Sequence, residues 1–295
     1  MDSYTTELLI LIYSGELEFK SFIEFLALKV GFKNVVRLVV NETTYLIIDN
    51  LCKRHGITCL KSDFGLKLSF STNLLDSFYE ITTSDCQDSD CFVIFCGSKN
   101  SVSEACVIER DGCNSDETAR IYGYPKCCAQ NYQRIQDGEH WIIPYLTNVS
   151  APGPYSWMNN KLAYLFQPHL TIFPDYFPCS IDCLETHRLA SKYSTSMENL
   201  GLGSLLKIVK NSLTLPILVH GGYIYQFSNL ALQSEGYINC GNITTLSYAN
   251  GDPAKLPLNI QKISSNPSGI LTIVTNEGHM SLDLCPGSTD FLVFK

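Results

Sequence analysis

Long apolar runs are missing from this chain. The longest near its start covers only Leu8 to Tyr13, whereas a membrane-crossing helix needs roughly 20 apolar residues. Acidic residues, Asp2 and Glu7, stand before that run, which is the wrong polarity for a secretory signal. The expectation is a cytoplasmic protein with no membrane association. Basic runs are missing too: the 21 Lys and Arg are scattered and outnumbered by 29 Asp and Glu, for a formal net charge of −8. That balance argues against binding by broad phosphate neutralisation, so no nucleic-acid partner is expected. Internal repeats and low-complexity segments are also lacking, so nothing suggests a solenoid or a disordered linker.

What the chain has in abundance is cysteine, 13 in 295 residues. Its apolar share of 45% supports a packed core without covalent staples. In a cytoplasmic chain of this size, cysteine richness points to metal binding or redox chemistry rather than a disulfide scaffold. The sequons at Asn41, Asn148 and Asn242 are then chance matches.

Hydrophobic periodicity predicts one or two helices over residues 3–30, punctuated by Gly15 and Gly31. A strand at Val35 to Val40, a helix from Thr43 to His55 stopped by Gly56, and a strand at Ile57 to Leu60 follow. A weaker strand is expected at Leu66 to Phe70, an exposed turn at Thr82 to Asp90, and a strand buried on both faces at Cys91 to Cys96. Ser101 or Ser103 is expected to cap a helix reaching Arg110. Ser115 opens another helix, and Pro125 interrupts it and starts the next. Six prolines between residues 137 and 178 predict an irregular segment with a helix only at Trp157 to Phe166. Asp182 and Glu185, in capping-box spacing, predict a helix to Tyr193. Beyond Leu213, short apolar runs at 217–220, 223–227, 244–248, 270–275, 279–284 and 291–294 read as antiparallel strands. Asn276-Glu277-Gly278 reads as a hairpin turn. The fold class is α+β: an N-terminal α/β region over 1–98, a helical and Pro-rich region over 99–212, and a C-terminal β-rich region over 213–295. The last two are candidates for one compact unit.

Two cysteine motifs carry the chemistry. Cys127 and Cys128 adjoin just after Pro125, in the first turn of the expected helix, where the helix dipole favours thiolate. Cys179, Cys183 and His187 follow at intervals of four, a spacing that shares one face if all three are helical; if the helix begins only at Asp182, Cys179 sits in the approach loop, a short reach from Cys183. Together they offer soft ligands for iron, an iron–sulfur cluster or zinc. The fourth coordination position decides the role. Four protein ligands make a structural site, whereas a vacancy makes a catalytic one. Candidates for it are the second member of the adjacent pair, His187, His169 and Cys113. Packing is the alternative reading for every one of these cysteines, and Cys91, Cys96, Cys106, Cys240 and Cys285 are assigned to the core. Tyr122 and Tyr124 flank Gly123 and either pack on the core or present hydroxyls to a substrate. Arg120, Asp175 and Asp182 are weaker site candidates, and Gly221-Gly222 reads as a turn rather than a phosphate loop.

At Gly123-Tyr124-Pro125-Lys126-Cys127-Cys128 and Pro178-Cys179-Ser180-Ile181-Asp182-Cys183 the chain resembles a prokaryotic family, domain-of-unknown-function family 483. The resemblance spans roughly residues 90–295 and implies that both motifs belong to one site. It implies no activity. The leading expectation is a cytoplasmic metalloenzyme, oxidoreductase-like, in which an iron or iron–sulfur centre on Cys127, Cys128, Cys179 and Cys183 performs redox tailoring of a small polar metabolite. One alternative is a binding or adaptor protein with structural zinc. Another is a metal-free enzyme using a nucleophilic cysteine or a redox dithiol. Oligomeric state is left open.

Overall fold

The computed structural model describes residues 2–69, 78–82, 91–111, 115–136, 142–148, 155–166, 176–220, 223–228, 230–233, 236–239, 242–247, 260–265, 270–275, 278–283 and 289–292. Helices and antiparallel sheets are both present, an α+β mixture. The chain divides into two compact units, the first made of 1–139, 175–177 and 192–203, the second of 140–174, 178–191 and 204–295.

The first unit opens with two helices, α1 (Ser3–Tyr13) and α2 (Phe19–Lys29), each followed by a glycine at φ +76°. The Asp2 side chain accepts from the Thr5 backbone N–H at 3.0 Å and so satisfies one of the orphan donors of α1. β1 (Val35–Val40) leads to α3 (Glu42–Arg54), which Asn41 caps and Gly56 closes. β2 (Thr58–Ser69), β3 (Phe78–Thr82) and β4 (Cys91–Gly97) complete a sheet of order β1-β4-β2-β3, in which every pairing is antiparallel. β4 is central and buried on both faces, which explains its unbroken apolar sequence.

The two separate strands expected at Ile57–Leu60 and Leu66–Phe70 are one strand, and β3 was not anticipated. The polar residues between them, Lys61 to Asp63, hide this continuity because they form a β-bulge, where the β2–β4 register shifts between Lys61 and Gly65. A bulge interrupts the ladder opposite it. Here the Ser62 hydroxyl accepts from the Val93 backbone N–H at 3.2 Å and donates to the Phe64 carbonyl at 2.6 Å.

α4 (Lys99–Asp111) and α5 (Ser115–Tyr122) cover one face of this sheet, burying Val35, Phe64, Val93, Phe95, Val102, Ala105, Ile108, Ile121 and Tyr122 together. α4 starts two residues before Ser101, and its cap is Ser98, whose hydroxyl accepts from the Ser101 N–H at 3.3 Å. Side chains alternate along β4, so Phe92 and Cys96 face the opposite side, where Tyr45 of α3 meets Phe92 edge-on at 5.6 Å. α6 (Lys126–Gln136) follows α5.

The second unit contains α7 (Ile142–Thr147), a 3-10 turn at Trp157–Asn159, α8 (Ala163–Phe166), and the first part of α9 (Leu184–Asn199). α10 (Gly203–Leu213) follows. The Pro-rich segment is therefore more helical than its prolines suggest; Pro144 sits near the start of α7, where a missing N–H is tolerated. Then come β5 (Ile217–His220), β6 (Tyr223–Phe227), β7 (Leu230–Gln233), β8 (Gly236–Asn239), β9 (Ile243–Ser247), β10 (Ile260–Ser265), β11 (Ile270–Thr275), β12 (Gly278–Asp283) and β13 (Thr289–Leu292). They form two antiparallel sheets, β12-β11-β10-β8-β7 and β13-β5-β6-β9. Leu218, Tyr225 and Phe227 of one sheet pack with Ile260, Ile263 and Ile273 of the other, as in a β-sandwich. The pairing of Thr275 with Gly278 is that of the expected hairpin. α10, β7, β8 and β10 went unread.

Because Ser62 supplies a hydrogen bond that backbone cannot, Ser62→Ala is expected to lower stability by about 1–3 kcal/mol in urea unfolding. An unchanged midpoint would mean that water replaces the hydroxyl.

Candidate metal centre

The Cys127–Cys128 pair is placed by a helix stop followed at once by a helix start. α5 ends at Gly123, whose φ is +70°, and the Tyr124 N–H reaches back to the Ala119 carbonyl at 3.0 Å, the closing bond of a Schellman motif. Glycine is required twice over here, because a Cβ would also stand 2.5 Å from the Phe32 carbonyl oxygen. The Pro125 carbonyl then accepts from the Cys128 and Ala129 N–H groups, each at 3.0 Å, and opens α6. Both cysteines thus lie in the first helical turn, at the positive end of the dipole. Cys128 is buried, Cys127 is exposed, and their sulfurs stand 3.8 Å apart.

Of the two arrangements their spacing allows, Cys179 and Cys183 adopt the one in which Cys179 lies in the approach to the helix. The Cys183 carbonyl accepts from the His187 N–H at 3.0 Å, so Cys183 opens α9 and Cys179 precedes it in a turn. Asp182 accepts from the Ser180 hydroxyl at 2.8 Å. What fixes the turn is Asn159. Its buried amide nitrogen donates to the Ile181 carbonyl at 3.0 Å and the Cys183 carbonyl at 3.1 Å. The Tyr145 carbonyl accepts from the Ile181 N–H at 3.0 Å, and the fully buried Tyr145 hydroxyl donates to the Asn159 carbonyl at 2.5 Å. These bonds serve backbone groups that an irregular segment cannot pair within itself. Sequence reasoning missed both residues; the only available signal was the polar pair Asn159-Asn160 set among apolar neighbours in the Pro-rich segment.

Cys127 and Cys128 in the first unit and Cys179 and Cys183 in the second make up a group of thiols that could hold a metal ion. His187 is not part of it, and its Nδ1 lies 3.0 Å from the Ser156 hydroxyl. Tyr122 is engaged elsewhere: its hydroxyl donates to Glu109 at 3.1 Å, Arg37 holds the same carboxylate at 2.6 Å, and burial pushes the phenol well above its usual pKa. Tyr124 packs between the rings of Tyr122 at 5.7 Å and Tyr176 at 5.0 Å, with the Lys33 ammonium 5.0 Å from its own ring centre. Arg120 pairs with Glu104 on the surface. His169, Asp175, Cys113 and the Gly221-Gly222 turn lie outside the described residues.

Comparison with protein-family models, with curated proteins and with solved structures finds no match. Among the described residues, no helix is long and apolar enough to cross a membrane.

Asn159→Ala removes both amide bonds that hold the Cys179–Cys183 turn, and is expected to weaken metal retention by roughly 10- to 100-fold, as loss of a group that orients ligands does. His187→Ala should leave metal content unchanged. Competition against a chromophoric chelator measures both, and metal loss in His187→Ala would return the histidine to the ligand set.

Proposed function

We propose that Cys127, Cys128, Cys179 and Cys183 hold a single metal ion in a closed tetrathiolate site, and that the ion is zinc with a structural role. The observation that carries this reading is the 3.8 Å between the Cys127 and Cys128 sulfurs, with a second closely spaced cysteine pair, Cys179 and Cys183, to complete the ligand set. For a tetrahedral ion with metal–sulfur bonds of about 2.3 Å, ligand sulfurs stand about 3.8 Å apart. A multinuclear iron–sulfur cluster interposes irons and sulfides between the cysteines and holds their sulfurs further from one another. The spacing therefore favours one ion over a cluster.

Four thiolates fill a tetrahedron and leave no position for water or substrate, which is the pattern of a structural rather than a catalytic site. The reading accordingly moves from an enzyme acting on a small metabolite to a metal-stabilised binding or adaptor protein. A reducing setting suits it, since thiolates bind the ion and disulfides do not. The resemblance to family 483 agrees with grouping the two motifs and adds no activity.

The decisive measurement is elemental analysis of protein purified anaerobically. One zinc per chain, no colour and no acid-labile sulfide are expected. Cys128→Ala and Cys183→Ala should each lose the metal, and stripping it by chelator should lower Tm by roughly 10 °C or more, as removal of about 4 kcal/mol does in a chain of this size. Stoichiometric iron with sulfide, or a variant that keeps its full metal, overturns the assignment.

A further inference from the structure

A second set of thiols lies wholly within the first unit. Cys52 projects from α3, Cys59 from β2 and Cys96 from β4. Cys59 and Cys96 are directly opposed in the antiparallel ladder, with sulfurs 3.6 Å apart, and α3 lays Cys52 over the same face of the sheet. All three sulfurs fall within 4.8 Å of one another. Cys52 and Cys96 are fully buried, whereas Cys59 is half-buried and gives the group its access to solvent.

We infer that Cys52, Cys59 and Cys96 form a three-sulfur binding site for a soft monovalent metal ion, Cu(I). Three sulfurs around an ion at about 2.3 Å in a plane stand about 4.0 Å apart, close to the spacing seen. No histidine or carboxylate joins the group among the described residues. Zinc is almost always four-coordinate in protein sites and would lack a fourth protein ligand here, whereas thiolate softness suits Cu(I) and lower coordination. Binding releases thiol protons to solvent and involves no change of oxidation state.

This site is independent of the four-cysteine reading, and the experiment keeps the two apart. Zinc-loaded protein is titrated anaerobically with Cu(I) buffered by bathocuproine disulfonate, then desalted and analysed for both metals. Retention of one Cu(I) per chain with zinc undisturbed is expected, along with protection of Cys59 from alkylation, mapped by mass spectrometry. Cys59→Ser should weaken Cu(I) retention by roughly a hundredfold or more, and Cys52→Ser should do the same. If a variant fails to fold, Cys59 protection in the unaltered protein still decides. Copper that enters only as zinc leaves, copper that binds without protecting Cys59, or a Cys59–Cys96 disulfide in anaerobic protein overturns the proposal.

Discussion

β4 has a hydrogen-bonded strand along each edge and helices over each face, and the first unit is organised by that enclosure. A strand so placed must be apolar on both sides, and its backbone groups must find partners without help from water. Both requirements are met, the second by an unusual route at Val93, where a side-chain hydroxyl replaces a missing ladder carbonyl. Alternation along the strand then distributes its side chains. Val93 and Phe95 go to the α4–α5 core, while Phe92 and Cys96 go to the α3 side. The thiol trio is a consequence of this geometry: once Cys96 faces α3, the cross-strand register fixes Cys59 beside it.

The two cysteine motifs are positioned by different physical means. Cys127 and Cys128 depend on local rules that need little tertiary help, a positive-φ glycine that ends one helix and a proline that begins another. Cys179 and Cys183 sit where the backbone is irregular, and such a segment keeps one shape only if distant groups satisfy its carbonyls. Asn159 performs that task with one amide nitrogen serving two carbonyls, and Tyr145 in turn fixes Asn159. Rigidity at the second motif is therefore borrowed from a side-chain network some 20 to 35 residues upstream in the chain.

What could be read in the sequence follows the same division. The helix stop at Gly56 and the helix start at Pro125 were legible because glycine and proline act through their own backbone. β4 and most C-terminal strands were legible from apolar runs. The continuity of β2 was not, since Ser62 and its polar neighbours resemble a loop until the bulge is seen. β7 and β8 are only four residues each and carry no strong alternation, and polar Gln261, Lys262 and Ser264 mask β10. Cysteine motifs with short spacing drew attention, yet Cys59 and Cys96 are 37 residues apart, Cys52 lies further still from Cys96, and only strand register brings Cys59 and Cys96 face to face.

Gly97 and Gly123 come from distant parts of the chain, yet each would place a Cβ 2.5 Å from a carbonyl oxygen of the same short connection, Asn34 for one and Phe32 for the other. The main chain between α2 and β1 thus fills space at both glycines that a methyl group would need. Sequence drift should be felt unevenly as a result. Side chains at Phe32, Lys33 and Asn34 can change without disturbing either contact, while the glycines facing them have no substitute. A tree of diverging copies would keep the two glycines long after it had rewritten the residues they touch.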